Sequence, residues 1–377
     1  MKVFVTVARI FTGLLFIFSG LVKAIDPKGL AFKMQEFFEA WSGSGFMPGL
    51  MKTFDEYALT FSIIMITLEV IVGVALLIGW KKKITIAVLL LLMIFFTFLT
   101  SYVLFTGKIR ACGCFGDCIP LTPVQTFTKD IVLLLLAVFL LLNTKYISPV
   151  AKPFFSFLYM LAATMLVLFL QWYVLRNLPL ADCLPYKKGN NIVELRKMPA
   201  NAIPDKFDFL FIYKKDGVQK EYKADATPDS SWEFVDRKQT LIRKGSNNIP
   251  VISDFSLTTE NGNDSTDAIL NIAGEYYLLY IQDLETYPKN WDGDIALVKK
   301  LINKKKEFYI VTSQIVKVKN RFKDLLSKAN IDIATIKFLS CDATVMKTVA
   351  RVNPTLYLMN GPVVKDKLSW TAFKNIN

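Results

Sequence analysis

Long runs of hydrophobic residues fill the first half of the chain, and polar residues take over after about residue 176. A helix of about 20 apolar residues can cross a bilayer, so such runs predict membrane-spanning helices. Five runs are long enough, at about Val3–Val22, Tyr57–Trp80, Ile84–Phe105, Val124–Leu142 and Phe154–Leu175. The segment "SGLVKAIDPKG" after the first run offers no convincing cleavage site, so we interpret that run as an anchor and not as a signal peptide.

Shorter patterns fill the second half of the chain. Strands and turns are predicted from about residue 190 to 257, including a hairpin in "FLFIYKKDGVQKEY". Strand and helix patterns then alternate, starting with a strand at Tyr276–Gln282 and ending with strands in "TLYLMN" and "PVVKDKLSW". The predicted fold class is therefore a membrane α-helical bundle of about five transmembrane helices, followed by an α/β domain with a β-rich lead-in. We expect the bundle at 1–176, the lead-in at 177–250 and the α/β domain at 251–377.

Basic residues predict the orientation in the membrane. They stand at three places that five spans would put on one side: Lys2 and Arg9, Lys81–Lys83, and Lys145 and Lys152. By the positive-inside rule that side is cytoplasmic. The loop 24–55, the cysteine-rich loop and everything after Arg176 then lie outside the cytoplasm. We therefore predict a multi-pass protein of the inner membrane with a periplasmic C-terminal domain.

The composition agrees with a membrane protein. Hydrophobic residues make up 53% of the chain, above the roughly 45–50% of a soluble protein. The net charge of +13 comes partly from the basic links between the spans. The remaining basic residues are scattered without interleaved aromatic residues, so no nucleic-acid site is predicted.

Three cysteines stand within seven residues in "IRACGCFGDCIPLTP", directly after the third apolar run. Cys112, Cys114 and Cys118 are expected at the outer membrane surface in an oxidising compartment, where Cys183 also emerges. A disulfide between Cys112 and Cys114 would be strained, whereas one between Cys114 and Cys118 would have relaxed geometry. Cys114 or Cys118 could instead form a disulfide with Cys183. Three hypotheses follow: a static disulfide that fastens the loop, dynamic thiol exchange, or a thiolate metal site. Because the chain has no His, the commonest transition-metal ligand, we predict no metal.

Charged residues also interrupt the apolar runs. Glu69 lies near the middle of the second run, where a carboxylate is costly and usually functional. Counted from the inner ends of their runs, Arg9 and Glu69 differ in depth by roughly 6 Å. We expect an Arg9–Glu69 ion pair, with a proton or ligand role for Glu69 as the alternative. Lys23 is expected to extend to the outer surface, and Asp130 is explained by its place near a helix start.

Several motifs resemble a known family. "RIFTGLLFIFSGLVKAIDPKG", "EVIVGVALLIGW" and "CGCFGDCIPLTPVQTFTKDI" are similar to the DoxX/MauE family of membrane proteins, in the form found in Bacteroidota. "LPLADCLPYKKGNNI" is similar to the continuation of that group after its last span. The resemblance implies a compact helical bundle and a link to the maturation of disulfide-rich exported proteins. The bundle is also similar in outline to quinone-linked thiol oxidases of the DsbB type, whose paired Cys-x-x-Cys this chain lacks.

The α/β domain resembles a TlpA-type thioredoxin domain. "VISDFSLTTENGNDSTDAIL" is similar to the strand that leads into such domains, and "NPTLYLMNG" to their cis-proline segment, with Pro354 as the candidate cis residue. The thioredoxin Cys-x-x-Cys is replaced by "DLETYPKNW", so the domain would have no redox centre of its own. The resemblance implies partner binding at Asn353, Pro354 and Thr355 by strand addition. Cys341 is expected to be a buried small hydrophobe.

Two functions fit this sequence. As an enzyme, the protein would exchange disulfides with exported proteins through Cys112, Cys114 or Cys118, with Cys183 as the resolving thiol. A quinone would be the electron acceptor in the DsbB type of reaction, but the missing Cys-x-x-Cys means that no cofactor is firmly predicted. As a non-catalytic accessory, the protein would bind exported clients or a membrane complex through its α/β domain. The sequence leaves open whether the protein is an enzyme.

Overall fold

The structure is a computed structural model that describes residues 1–109, 113–223, 225–243, 245–288, 292–304, 306–333 and 336–376. Five of its helices are long and apolar enough to cross a membrane, which confirms the prediction from the hydrophobic runs. In chain order the helices of this part are α1 (Lys2–Ala24), α2 (Pro27–Gly43), α3 (Pro48–Glu56), α4 (Ala58–Ile78), α5 (Lys82–Thr106), α6 (Pro123–Leu142) and α7 (Pro153–Arg176). The spanning helices are α1, α4, α5, α6 and α7.

Glycines let α1 and α4 approach closely. A Cβ atom on Gly73 would stand 2.7 Å from the carbonyl oxygen of Gly13, and one on Gly20 would stand 2.6 Å from a methyl group of Val70. Helices in lipid gain little from the hydrophobic effect, so close backbone packing between small residues is a main source of their association. The α1–α4 pair is therefore the best-packed part of the bundle, and it fixes the relative depth of residues on the two helices.

The basic links meet at one end of the bundle. The Lys82 ammonium donates to the Ile147 carbonyl oxygen at 2.7 Å, and the Arg9 guanidinium donates to the Ser148 carbonyl oxygen at 3.1 Å. The backbone N–H of Val150 donates to the carbonyl oxygen of Ile78 at 2.9 Å. The start of α1 and the two lysine-containing links thus lie on one side of the bundle, as the charge pattern predicts.

A strand-rich segment follows the bundle. After the short helix α8 (Ile192–Arg196) come three antiparallel strands, β1 (Lys206–Lys215), β2 (Val218–Lys223) and β3 (Glu233–Arg243), in the order β2-β1-β3. β1 and β2 form the predicted hairpin, whose turn residues Asp216 and Gly217 both have positive φ. Such left-handed pairs match the twist of a two-residue hairpin.

The last part is a six-stranded mixed sheet with helices on both faces. Its elements are β4 (Thr258–Thr259), α9 (Thr266–Leu270), β5 (Glu275–Ile281), α10 (Asp292–Asn303), β6 (Phe308–Thr312), α11 (Ile315–Lys328), β7 (Lys337–Ser340), α12 (Ala343–Val349), β8 (Thr355–Asn360) and β9 (Val363–Ser369). The strand order is β4-β7-β6-β5-β8-β9. β5, β6 and β7 are parallel, and β8 and β9 complete the sheet as an antiparallel hairpin.

The central strand β5 divides two hydrophobic cores. Tyr276, Leu278 and Tyr280 point into one core, and the alternate residues Tyr277 and Leu279 point into the other. After Glu275 the strand has only Tyr, Leu and Ile and does not alternate with charged residues, as is typical of a strand that is covered on both faces. Tyr186 and Ile192 precede the three-stranded sheet in the chain, and they belong to the same core as Tyr276. The segment after α7 is thereby packed onto the α/β domain.

Candidate functional site

A disulfide joins the cysteine loop to the segment after α7. Cys118 is bonded to Cys183 across 65 residues, with Cα atoms 5.0 Å apart. Of the pairings left open by the sequence, the structure forms this one and not Cys114–Cys118. Cys112 lies outside the described residues. Gly113 and Gly116 both have positive φ, and the N–H of Gly116 donates to the Gly113 carbonyl at 2.9 Å, which makes the tight turn that leads to Cys118.

The disulfide is accessible. Cys118 and Cys183 are both partly exposed. They border a small cavity of about 20 Å³ between α1, α2 and the loop, which also touches Asp26 and Asp182. Cys183 further borders an open groove of about 400 Å³ between α2 and α12. A disulfide that opens onto a groove can be reached by the thiol of another protein, whereas a buried one cannot.

A buried ion pair lies beneath the loop. The carboxylate of Glu69 on α4 is 1% exposed and binds the ammonium of Lys23 on α1. The Ser19 hydroxyl lies 3.1 Å from Glu69 Oε2 and 3.1 Å from the Cys114 carbonyl oxygen, and it can donate to one of them at a time. The cysteine loop is thereby connected through Ser19 to the charged pair in the membrane.

The expected Arg9–Glu69 pair is wrong, because the register of α1 against α4 separates the two residues. Glu69 lies beside Gly20, eleven residues after Arg9, which is roughly 16 Å along the helix. Arg9 instead lies beside Gly79, at the inner end of α4. Lys23 fills the place expected for Arg9, so the expectation that it extends to the surface is also wrong. The i, i+4 spacing of Ser19 and Lys23 on one face of α1 was the available signal for this site.

A second buried carboxylate completes the charged cluster. Asp130 on α6 is fully buried and accepts from the ammonium of Lys129 at 2.5 Å. Its place near the start of α6 does not account for this burial. A small cavity of about 40 Å³ is bordered by Lys23, Glu69, Lys129, Asp130 and Cys114 on one side and by apolar side chains of α1, α2, α4 and α5 on the other. Charged residues buried at membrane depth around a cavity usually mark a functional site. Among the described residues, no cluster of His, Cys, Asp and Glu is suited to a metal ion.

The α/β domain contacts the cysteine loop through Arg351. Its guanidinium binds Asp26, before α2, at 2.7 Å and Asp117, in the cysteine loop, at 2.8 Å. It also lies over the Phe32 ring at 5.2 Å. A third pair, Lys367 to Asp182 at 2.9 Å, joins β9 to the residue next to Cys183. Burial lowers the pKa of Lys367, and the Asp182 carboxylate opposes that effect. The sequence contained no signal for these ion pairs, because they join residues more than 180 positions apart.

The expected partner-binding residues differ in accessibility. The Asn353–Pro354 peptide bond is cis, as predicted. The Asn353 amide donates to the Asp283 carbonyl at 2.7 Å, and its oxygen accepts from Gln282 N–H at 3.1 Å. Asn353 and Pro354 each border a groove, but Thr355 is fully buried and donates to the Val352 carbonyl at 2.5 Å. A direct partner contact through the Thr355 side chain is therefore ruled out in this arrangement.

Cys341 is isolated from this site. It is buried in the core of the α/β domain, as predicted, and burial raises its pKa to about 12. At neutral pH its thiol is protonated and unreactive. Because no cysteine lies between residues 184 and 340, the α/β domain contributes no reactive thiol to the groove beside Cys183.

Comparison with known proteins agrees with the membrane part of this description. Residues 1–143 match the family described as methylamine utilisation protein MauE, and residues 207–244 match a domain of unknown function, DUF8463. The chain is similar to Protein TlpB of Flavobacterium psychrophilum, with 39% identity over 83 residues. That alignment covers 21% of this chain and 23% of TlpB. No solved structure matches the chain. The five apolar helices and the MauE match together identify a multi-pass membrane protein whose first 143 residues are similar to MauE.

Proposed function

We propose that this protein exchanges disulfides with exported proteins at the periplasmic face of the inner membrane, and that Cys118–Cys183 is the disulfide it exchanges. The observation that carries the proposal is the position of this bond. Both cysteines are partly exposed, and Cys183 borders the open groove between the membrane bundle and the α/β domain. The similarity of residues 1–143 to MauE and the similarity to TlpB support a role in the maturation of exported proteins.

The proposed reaction is a thiol–disulfide exchange. A thiolate of the client attacks one sulfur of the Cys118–Cys183 bond, which forms a mixed disulfide and releases the other cysteine as a thiol. The second thiol of the client then attacks the mixed disulfide. The client leaves with a new disulfide, and Cys118 and Cys183 both become thiols. Oxidation of Cys118 and Cys183 back to the disulfide removes two electrons and two protons, for which a membrane quinone is the proposed acceptor, with Cys112 and Cys114 of the same loop as the proposed relay.

Trapping experiments test this proposal in cells. Because the exchange is reversible, the lone Cys183 thiolate of a Cys118→Ala variant should attack the disulfide of an oxidised client, release one client thiol and retain the client as a mixed disulfide that disappears on reduction. The Cys341→Ala variant is the matched control and should give no adducts, because it removes a buried thiol outside the site. Rapid alkylation of the wild-type protein should show a mixture of reduced and oxidised Cys118–Cys183. A single, fully oxidised pair that resists mild reductant, together with no adducts, would reject the exchange reaction.

The proposed orientation would put Cys118 and Cys183 in the periplasm. This compartment is oxidising, so a disulfide can form and persist there. Lysines of the two basic links lie at the end of the bundle opposite the disulfide. Reporter fusions at Lys82 and at the C-terminus should report opposite sides of the membrane. If both reported the cytoplasm, the environment needed for the disulfide would be missing.

A non-catalytic role is the second candidate. The α/β domain resembles a thioredoxin but lacks Cys-x-x-Cys, and the thiol of Cys341 is buried. In this case the disulfide would only fasten the cysteine loop, and the protein would bind exported clients or a membrane complex through the α/β domain. A Cys118→Ala/Cys183→Ala variant that keeps full function in cells would favour this candidate.

A further inference from the structure

Two adjoining grooves lie between the α/β domain and the outer end of α7. One, of about 510 Å³, is bordered by Lys28 and Asn353, and the other, of about 750 Å³, is bordered by Lys300 and Lys374. Arg176, the last residue of α7, and Trp370 border both grooves. We call the combined space the cationic groove, after Lys28, Arg176, Lys300 and Lys374.

The basic side chains of the cationic groove have no carboxylate within ion-pair distance among the described residues. No Asp or Glu is present among the described residues that line it. In the part of the chain that the structure describes, none of its four basic side chains makes an ion pair, whereas many other lysines on the α/β domain do. Burial lowers the pKa of Lys28, and the nearby Asp283 opposes this effect. An anion in the groove would relieve the repulsion among these cations and the cost of burying Lys28.

The cationic groove stands at the bilayer surface. Arg176 ends a spanning helix, and its guanidinium stacks at 5.2 Å on Trp172 and at 5.5 Å on Trp370. Tryptophan and arginine side chains are typical of the headgroup level of a membrane. Below them α7 exposes Phe169 and Leu166 on its outer side, and it buries the smallest share of its apolar window among the five spanning helices, 17%. Lipid chains can therefore cover α7 up to the edge of the groove.

We propose that the cationic groove binds the phosphate headgroup of an anionic phospholipid of the outer leaflet, with the acyl chains along α7. Arg176 and Lys28 lie closest to the membrane helices and contact the phosphate, while Lys300 and Lys374 add attraction from the α/β domain. The headgroup would join the α/β domain to the membrane independently of the Cys118–Cys183 bond. This site is separate from the proposed thiol exchange and does not depend on it.

An acidic peptide would also suit the charge, but the position of the groove favours lipid. The groove opens next to the lipid-facing surface of α7, where a headgroup is always within reach. In addition, the side-chain amide of Asn353, which precedes Pro354 in the chain, is already bonded to Asp283 and Gln282. It is not available to recognise a peptide backbone.

Lipid titration of the purified full chain in detergent tests the proposal. Phosphatidylglycerol should bind saturably and raise the thermal unfolding midpoint, and phosphatidylcholine should bind at least tenfold more weakly. The Lys28→Gln/Arg176→Gln variant should lose at least tenfold in phosphatidylglycerol affinity. The Lys299→Gln/Lys317→Gln variant is the control, because it removes the same charge from exposed positions outside the groove.

Three outcomes would overturn the proposal. The first is equal phosphatidylglycerol affinity in the wild type and in the Lys28→Gln/Arg176→Gln variant. The second is complete displacement of the lipid by millimolar inorganic phosphate, which would indicate a site for a free anion. The third is tight binding of a soluble Glu-rich peptide. The peptide would have to bind the wild type more tightly than phosphatidylglycerol does and fail to bind the Lys28→Gln/Arg176→Gln variant. Circular dichroism and the oxidised state of Cys118–Cys183 will show whether each variant is folded.

Discussion

Replacing Arg351 by Met should weaken the contact between the α/β domain and the cysteine loop. The Arg351 side chain is 6% exposed, and its partners Asp26 and Asp117 are 21% and 41% exposed. Removing one member of a fully buried pair costs about 3–5 kcal/mol. Water already reaches Asp117, so its share is at most about 1 kcal/mol, as in an exposed ion pair. We therefore expect a total loss of about 2–3 kcal/mol, with most of it from the Asp26 pair. Met keeps an apolar stem over the Phe32 ring, so the change isolates the charge.

Hydrogen–deuterium exchange of the α12 amides in the full chain measures this loss. At about 1.4 kcal/mol per factor of ten, the expected loss corresponds to exchange that is roughly 30- to 140-fold faster. The control is Lys337→Met, which breaks the exposed pair with Glu307 and should change the exchange of its own region less than tenfold. Asp117→Asn should likewise have a small effect, and Asp26→Asn a larger one. If Arg351→Met accelerates α12 exchange no more than Lys337→Met does, then Arg351 does not hold the two parts together.

Three further predictions concern the bundle and the buried cysteine. Glu69→Gln should destabilise the protein in detergent by about 3–5 kcal/mol, because it leaves the Lys23 charge buried without a partner. A Lys23→Met/Glu69→Leu variant should recover most of that loss. Equal unfolding midpoints for the single and the double variant would contradict this prediction. Gly73→Ala should lower the unfolding midpoint, at a cost of about 1–3 kcal/mol, because its Cβ would meet a backbone oxygen at 2.7 Å. Gly43→Ala is the control and should have little effect, because the space around Gly43 is open. A larger loss for Gly43→Ala than for Gly73→Ala would contradict the close α1–α4 packing. Cys341 should resist alkylation in the native protein up to about pH 11, since burial raises the pKa of its thiol to about 12. At pH 8 it should react only after unfolding. Rapid labelling of the native protein at pH 8 would show that the thiol is not buried.

The spanning helices and the α/β domain could be predicted because their signals are local. A run such as Tyr57–Trp80 is apolar over its whole length, and that length alone implies a helix that crosses lipid. The hairpin at Asp216–Gly217 also follows from a few adjacent residues, whereas the cis bond at Pro354 was expected from the resemblance of its segment to a thioredoxin. The error over Arg9 arose from a quantity that is not local. Depth was counted from the ends of two runs, while the true register depends on how Gly13 and Gly73 bring α1 and α4 together.

The sequence alone determined the number of spans, the grouping of the basic links at one end of the bundle, the loop that contains the clustered cysteines and the absence of a Cys-x-x-Cys from the α/β domain. Each of these follows from residue types along a short stretch, because a bilayer and a β-sheet impose their periodicity on the chain directly. Only the tertiary structure decided that Cys118 bonds Cys183, that Lys23 neutralises Glu69, and that Arg351 binds Asp117. These contacts join residues 46 to 234 positions apart. Several cysteines, cations and carboxylates could have met in other combinations. The choice among them depends on helix register and on how the α/β domain packs against the bundle, and a linear pattern contains neither.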